Sequence, residues 1–202
     1  ARSVSKVYHK IQEIIDTTEN IIVTTPNLQE YNCIFEGSQG LALDEYSKYF
    51  PYVTRSRTGL TNVIDLCREH NITIDDVYYI SRVYQSRHGE DKFFKESPTF
   101  GQFFEVEDLT NVNNDWQDSL KFAFLNIVEM EARIEKDFSL FVDLYPETKQ
   151  HRVFTCVDQA THETFPLITE DGPNFFSADS LELSYDLAGI GTLFFSNKEN
   201  NM

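Results

Sequence analysis

The sequence predicts an α/β fold, a mixed, largely parallel sheet with covering helices, and three observations carry that expectation. Segments rich in β-branched and aromatic residues alternate along the chain with segments of helical periodicity. The apolar strands lack clean polar alternation, which predicts a sheet covered on both faces. A chain of 202 residues, 41% apolar and with 17 Phe and 10 Tyr, is also large enough to bury a core, and it reads as a single domain over residues 1–202.

From Ser3 to Asp16 apolar residues fall at Val4, Val7, Tyr8, Ile11, Ile14 and Ile15, one face of an amphipathic helix. Asn20 to Thr25 is short and β-branched, and Asn32 to Phe35 reads as a buried strand ending in the loop Glu36-Gly37-Ser38-Gln39-Gly40. "VYYISRVY" after Asp76 predicts a strand, with "QSRHGEDKFF" as the following loop. Asn113-Asn114-Asp115 offers caps for a long helix running to about Arg133, since Leu120, Ala123, Phe124, Ile127 and Val128 recur at helical spacing. "FSLFVDLY" and "HRVFTCV", joined by "PETKQ", read as a strand pair. Ser177 or Asp179 caps a last helix over Ser180 to Ala188 that Gly189 ends, and "GTLFFS" closes as a strand.

Seventeen basic against 33 acidic residues leave a net charge of −16. That field opposes nucleic acid and anionic membranes as partners, and no apolar run reaches bilayer length, so the sequence reads as soluble and cytoplasmic. Cys33, Cys67 and Cys156 are far apart and odd in number, which suits reduced, buried thiols. The histidines show no metal-ligand spacing and read as surface or boundary residues.

The loop at Gly37 to Gly40 is the segment that points to function. It lacks the Lys-Ser/Thr of a phosphate loop, and its serine lacks the spacing of a nucleophile elbow. Two readings remain. Gly37 and Gly40 supply positive φ in a tight turn, or the backbone closely approaches a ligand while Gln39, both donor and acceptor, reads a planar edge such as a purine base.

Phe35-Glu36-Gly37-Ser38-Gln39-Gly40, Leu43-Asp44 and Phe50-Pro51-Tyr52-Val53-Thr54-Arg55-Ser56-Arg57 match without a gap the F-E-G-A-Q-G, L-D and Y/F-P-Y/F-V-T-S-S-N blocks of adenylosuccinate synthetase, and the sequence resembles that family. Tyr84-Gln85-Ser86-Arg87-His88-Gly89, followed by Phe93, resembles Y-x-T-R-V-G-x-G-P-F. Asn114 to Asp118 resembles T-G-W-[LF]-D, and Leu187 to Asn197 resembles the family's C-terminal end. The resemblance implies the C-terminal part of a phosphate-loop-NTPase-related α/β fold and a ligase of purine synthesis, joining aspartate to IMP at the expense of GTP with Mg2+. It places Gln39, Gly40 and Thr54 against the IMP base and phosphate, and Arg87 and Gly89 in a loop near the reacting centre. It assigns Asp143 and Ser196 to the guanine of GTP, with Asp158 a rival to Asp143.

The departures shape the expectation. The family's arginine-rich segment becomes Leu109-Thr110-Asn111-Val112-Asn113-Asn114, its guanine-side lysine becomes Phe141, and Lys198 takes its final glycine position. Arg55 and Arg57 are extra cations that either replace lost ones or decorate the surface. The glycine-rich phosphate loop, catalytic aspartate and catalytic histidine of the family's N-terminal half are not in this sequence. The chain therefore carries no catalytic or metal-binding residue by this reading and is expected to be inactive alone, as a piece that begins with Ala1 and is completed by an N-terminal half. The alternatives are an inactive purine-nucleotide-binding module and a ligase of altered amino-donor or nucleotide specificity. Family members resemble homodimers, which makes a second copy a further expected partner.

Overall fold

A computed structural model describes residues 4–18, 27–89, 91–106, 119–188 and 192–196. The chain divides into two compact units, Ala1–Cys33 and Ile34–Met202. The strand expected over Asn20 to Thr25 lies outside the described residues, as do the arginine-free stretch at Leu109 to Asn114 and the caps at Asn113 to Asp115.

In the first unit α1 spans Val4–Thr17 as the periodicity predicts. Its apolar stripe, from Val4 through Ile11 to Ile15, is exposed. The hydroxyls of Thr17 and Thr18 take up the Glu13 and Ile14 carbonyls at 2.8 Å each, partners that the last turn of a helix otherwise lacks.

The second unit holds two sheets. β1 (Asp76–Arg82), β4 (Lys149–Thr155) and β7 (Leu193–Ser196) form a three-stranded parallel sheet in the order β1-β4-β7. β2 (Tyr84–Arg87), β3 (Lys121–Asn126), β5 (Phe165–Thr169) and β6 (Gly172–Phe176) form a mixed sheet in the order β2-β3-β5-β6, with β3 and β5 parallel. Helices α2 (Thr61–His70), α3 (Ile127–Val142) and α4 (Ala178–Ala188) precede β1, β4 and β7 in turn. The mixed α/β expectation is borne out.

Several elements differ from the sequence reading. Lys121 to Asn126 is a strand, because burial alternates with a period of two through Ala123 and Leu125. The helix begins only at Ile127, where the Asn126 side chain accepts the Glu129 N–H at 3.0 Å. "FSLFV" is the last part of α3 and no strand; Ile134, Phe138 and Phe141 are buried at helical intervals. Asn32 to Phe35 is not a strand and Ile34 is 96% exposed. Cys33 is exposed while Cys67 is buried.

The core explains α3. Its inner stripe of Met130 and Ile134 joins Phe154, Phe165, Leu167, Leu181 and Leu193 in one cluster, while Phe138 and Phe141 meet Ile64 and Val77 in another. Threaded through this packing is a chain of polar contacts. Arg152, only 2% exposed, donates to Glu131 at 2.7 and 3.1 Å, and Tyr185 donates to the same carboxylate at 2.6 Å. Its guanidinium lies 5.5 Å over the Tyr79 ring, whose hydroxyl donates to Asp137 at 2.9 Å. Asp137 in turn accepts the Leu60 N–H at 3.1 Å, at the start of α2, where the helix dipole favours an anion. Each buried charge thus has a partner, which is the condition for tolerating it. Gly59 belongs to this arrangement, because a Cβ there would collide with the Asp137 carboxylate.

The parallel sheet is two-faced. Tyr79, Arg152, Phe154 and Leu193 face the core, while the alternate row exposes Tyr78 by 51%, Ile80 by 69% and Phe194 by 42%. The expectation of cover on both faces does not hold among the described residues. His151 is no surface histidine either: it is buried, stacked on Tyr78 at 4.6 Å and bonded through Nε2 to Asp76 at 2.7 Å.

Candidate functional site

The site is built where the segment Gly37 to Arg57 folds back on itself. The Gly40 carbonyl accepts the Leu43 N–H at 2.9 Å and the Thr58 hydroxyl at 3.2 Å, and Thr54 N–H donates to the Leu43 carbonyl at 2.8 Å. Asp44 fastens the fold from within. Its carboxylate accepts the N–H groups of Tyr46 at 3.0 Å and Thr58 at 2.9 Å and the Arg57 guanidinium at 3.1 Å. Burial alone would push the Asp44 carboxyl up, but these hydrogen bonds and the cation outweigh it and hold it below the ordinary carboxylate range. Arg57, one of the two extra cations in the sequence, is therefore spent on Asp44, on the Thr61 hydroxyl at 3.0 Å and on the Tyr46 ring.

Against this folded segment comes the end of β2. The Arg87 guanidinium donates to the Tyr52 carbonyl at 2.6 Å, and its buried Nε lies 3.4 Å from the Asp91 carboxylate, an ion pair without a hydrogen bond among the described residues. Lys121 stands opposite Arg87 across the β2–β3 ladder, so two cations share one rung. Like charges in direct opposition cost stability in a ladder. Gly89 follows at φ +73°, in the left-handed region that glycine enters without strain.

Between the two walls is an open pocket of about 360 Å³, lined by Gln39, Leu43, Val53, Thr54, Ser86, Arg87, His88 and Leu120. Gln39, Thr54 and Arg87, 48 positions apart at the extremes in sequence, thus line one cavity, with Gly40 and Gly89 next to lining residues. Ser86 and His88 also line it; the sequence offered them only as neighbours of Arg87 in a matching block. Among the described residues the lining offers the Gln39 amide, the Thr54 and Ser86 hydroxyls, the Arg87 guanidinium and the His88 imidazole beside the apolar Leu43, Val53 and Leu120.

The opening loop holds a correction. Gly40 sits at φ −90° and neither it nor Gly37 has positive φ; that conformation falls on Gln39, at φ 69°. Among the described residues crowding does not demand the glycines either, since a Cβ on Gly40 would meet nothing within 4 Å and one on Gly37 would meet the Thr58 carbonyl at 3.9 Å.

The two guanine-side residues are set apart. Asp143 is the exposed C-terminal cap of α3, ahead of the first residue of β4, whereas Ser196 pairs in register with Thr155 at the last residue of β4. They stand at opposite ends of a strand about 20 Å long. Asp158, the rival, is in the turn Val157–Gln159 just after β4, at the same end as Ser196. Among the described residues no group of three or more His, Cys, Asp and Glu side chains converges as metal ligands, and no described helix is long and apolar enough to cross a membrane.

Comparison with known proteins places these observations in a lineage. A family model described as adenylosuccinate synthetase matches residues 1–116, which takes in all of the pocket lining except Leu120. A curated relative, the adenylosuccinate synthetase of Pseudothermotoga lettingae, is 32% identical over 92 residues, covering 45% of this chain and 22% of that protein. The matched stretch thus spans less than a quarter of that relative's length. Since the family model covers more than half of the 202 residues, the chain belongs to the adenylosuccinate synthetase family.

Proposed function

We propose that the pocket between Gln39 and Arg87 holds the purine monophosphate IMP, as one wall of the site of a GTP-dependent ligase that joins aspartate to IMP. The observation that carries this reading is the convergence of Gln39, Thr54 and Arg87 on one cavity, since these are the residues that the family blocks mark for IMP. Gln39 offers both a donor and an acceptor to the edge of the base, the Thr54 and Ser86 hydroxyls offer polar contacts, and Arg87 brings positive charge. Gly37 and Gly40, demanded neither by φ nor by crowding, leave the loop backbone open to close approach by a ligand.

The division of labour follows from the lining. Side chains of this chain bind and orient the base and its phosphate; the proton-accepting base and the groups that hold the triphosphate with Mg2+ belong to family motifs that this sequence does not contain. The described residues supply no metal cluster of their own. The guanine of GTP would fit at the carboxyl ends of β4 and β7, and there Asp158 is better placed beside Ser196 than Asp143 is. A binding module without ligation is the second reading, favoured by the absence of arginine from Leu109 to Asn114, where the two carboxylates of aspartate would need bidentate guanidinium partners.

Titration calorimetry with IMP tests the pocket. Thr54→Val keeps the shape and the Thr54 N–H bond to Leu43 while removing the hydroxyl, and should weaken IMP about tenfold without changing thermal stability. Equal affinity in wild type and variant would remove Thr54 from the site. No IMP binding in the wild type would overturn the reading.

A further inference from the structure

We infer that Lys121 meets the phosphate of the bound monophosphate and so sets the pocket's preference for a phosphorylated ligand, an inference that rests on the IMP reading of that pocket. This lysine lies outside every matched motif block and beyond the residues 1–116 that the family model covers, so it is a feature of this chain.

Three observations carry the inference, and the first is placement. Lys121 is the first residue of β3 and pairs in register with Arg87, the last residue of β2. Residues directly opposite in an antiparallel ladder project from the same face, with Cβ atoms about 5 Å apart. Arg87 lines the pocket, and so does Leu120, the residue just before Lys121. A flexible four-carbon stem from that position reaches the rim of the cavity.

The second observation is the balance of charge. The Arg87 guanidinium is already engaged by the Tyr52 carbonyl at 2.6 Å and by the Asp91 carboxylate at 3.4 Å. Asp91 therefore offsets Arg87. The partly buried Lys121 side chain, in contrast, makes no hydrogen bond or ion pair among the described residues. Of Arg87, Asp91 and Lys121, the ammonium is the charge left without compensation.

The third is cost. Two cations facing each other across a ladder repel, and an anion seated beside them relieves that repulsion. Arrangements that cost the free fold stability gather at binding sites. A monophosphate carries close to two negative charges above pH 7, and the Thr54 and Ser86 hydroxyls in the same lining add neutral donors to the ammonium.

Calorimetry of the chain with IMP at pH 8.0, for wild type, Lys121→Gln and Lys121→Arg, tests this beside urea midpoints of the three unliganded proteins. Lys121→Gln should weaken IMP about fivefold, on the scale of one ion pair, while its urea midpoint stays level or rises because the opposed charges are gone. Lys121→Arg keeps the charge and should bind within about twofold of wild type. Added KCl should weaken the wild type more than Lys121→Gln. Equal affinity of Lys121→Gln and a wild type that binds IMP overturns the role of Lys121 and leaves the pocket reading intact. A loss of affinity that comes with a lowered midpoint, or that Lys121→Arg does not restore, overturns it too, since the lysine would then serve the fold. A wild type that binds no IMP overturns both.

Discussion

Gln39 occupies the left-handed region at φ 69°, a conformation that costs a side chain with a Cβ about 1–2 kcal/mol. Strain of this kind persists where the surroundings enforce it, and it gathers at ligand contacts. Here two flanking hydrogen bonds to the Gly40 carbonyl and the Asp44 clasp enforce it, and the glutamine amide is thereby set into the pocket lining. Gln39→Gly relieves the backbone and deletes the amide. Its stability to urea should stay within about 1 kcal/mol of wild type, because relief of strain offsets the added freedom of the unfolded chain. Its affinity for IMP should fall about tenfold or more. A large loss of stability with unchanged affinity would assign Gln39 to the fold instead. Asp44 yields a pH prediction at the same scale. Because its carboxyl is held below the ordinary range, the stability it contributes is full above the unfolded value, about 3.9, and is lost as pH falls through the folded one. Asp44→Asn should therefore cost about 1 kcal/mol at pH 7 and progressively less toward pH 2.5, read from urea midpoints. A deficit that is constant with pH would contradict the assignment.

At the scale of elements, the parallel sheet divides its two faces sharply. Phe154, 1% exposed on the inner row, packs in the main cluster, while Ile80 on the outer row is 69% exposed. Phe154→Ala should cost about 3–5 kcal/mol and Ile80→Glu less than about 0.5 kcal/mol, measured by denaturant unfolding. A costly Ile80→Glu would show that the outer row is covered in solution. Legibility differed from element to element for physical reasons. The stripe of α1 and the β-branched run of β1 were legible because each keeps one period over its whole length. Residues 120 to 128 were not, because Leu120, Ala123, Phe124, Ile127 and Val128 satisfy a helical spacing across a strand and the first turn of α3, and only the Asn126 cap marks the joint. "FSLFV" misled because four of its five residues are apolar, a density that the end of a helix produces as readily as a strand. Gln39 and Thr54 could be singled out because they fall in the ungapped motif block and Arg87 in a second block, whereas Leu120 lies in none and only the fold puts it, with Ser86 and His88, in the lining.

Across the whole molecule, strong net negative charge coexists with a pocket whose described lining includes the cation Arg87. A general field of that sign repels an anionic nucleotide, so any affinity must come from short-range contacts at the pocket. This is the central claim, that the cavity shared by Gln39, Thr54, Arg87 and His88 is where a purine monophosphate sits. Amide chemical-shift mapping of the isotopically labelled chain during titration with IMP tests it most directly. The account predicts saturable shifts centred on Gln39, Gly40, Thr54, Arg87, His88 and Gly89. Shifts that saturate elsewhere, such as the turn Val157–Gln159, with those amides unmoved, would contradict it.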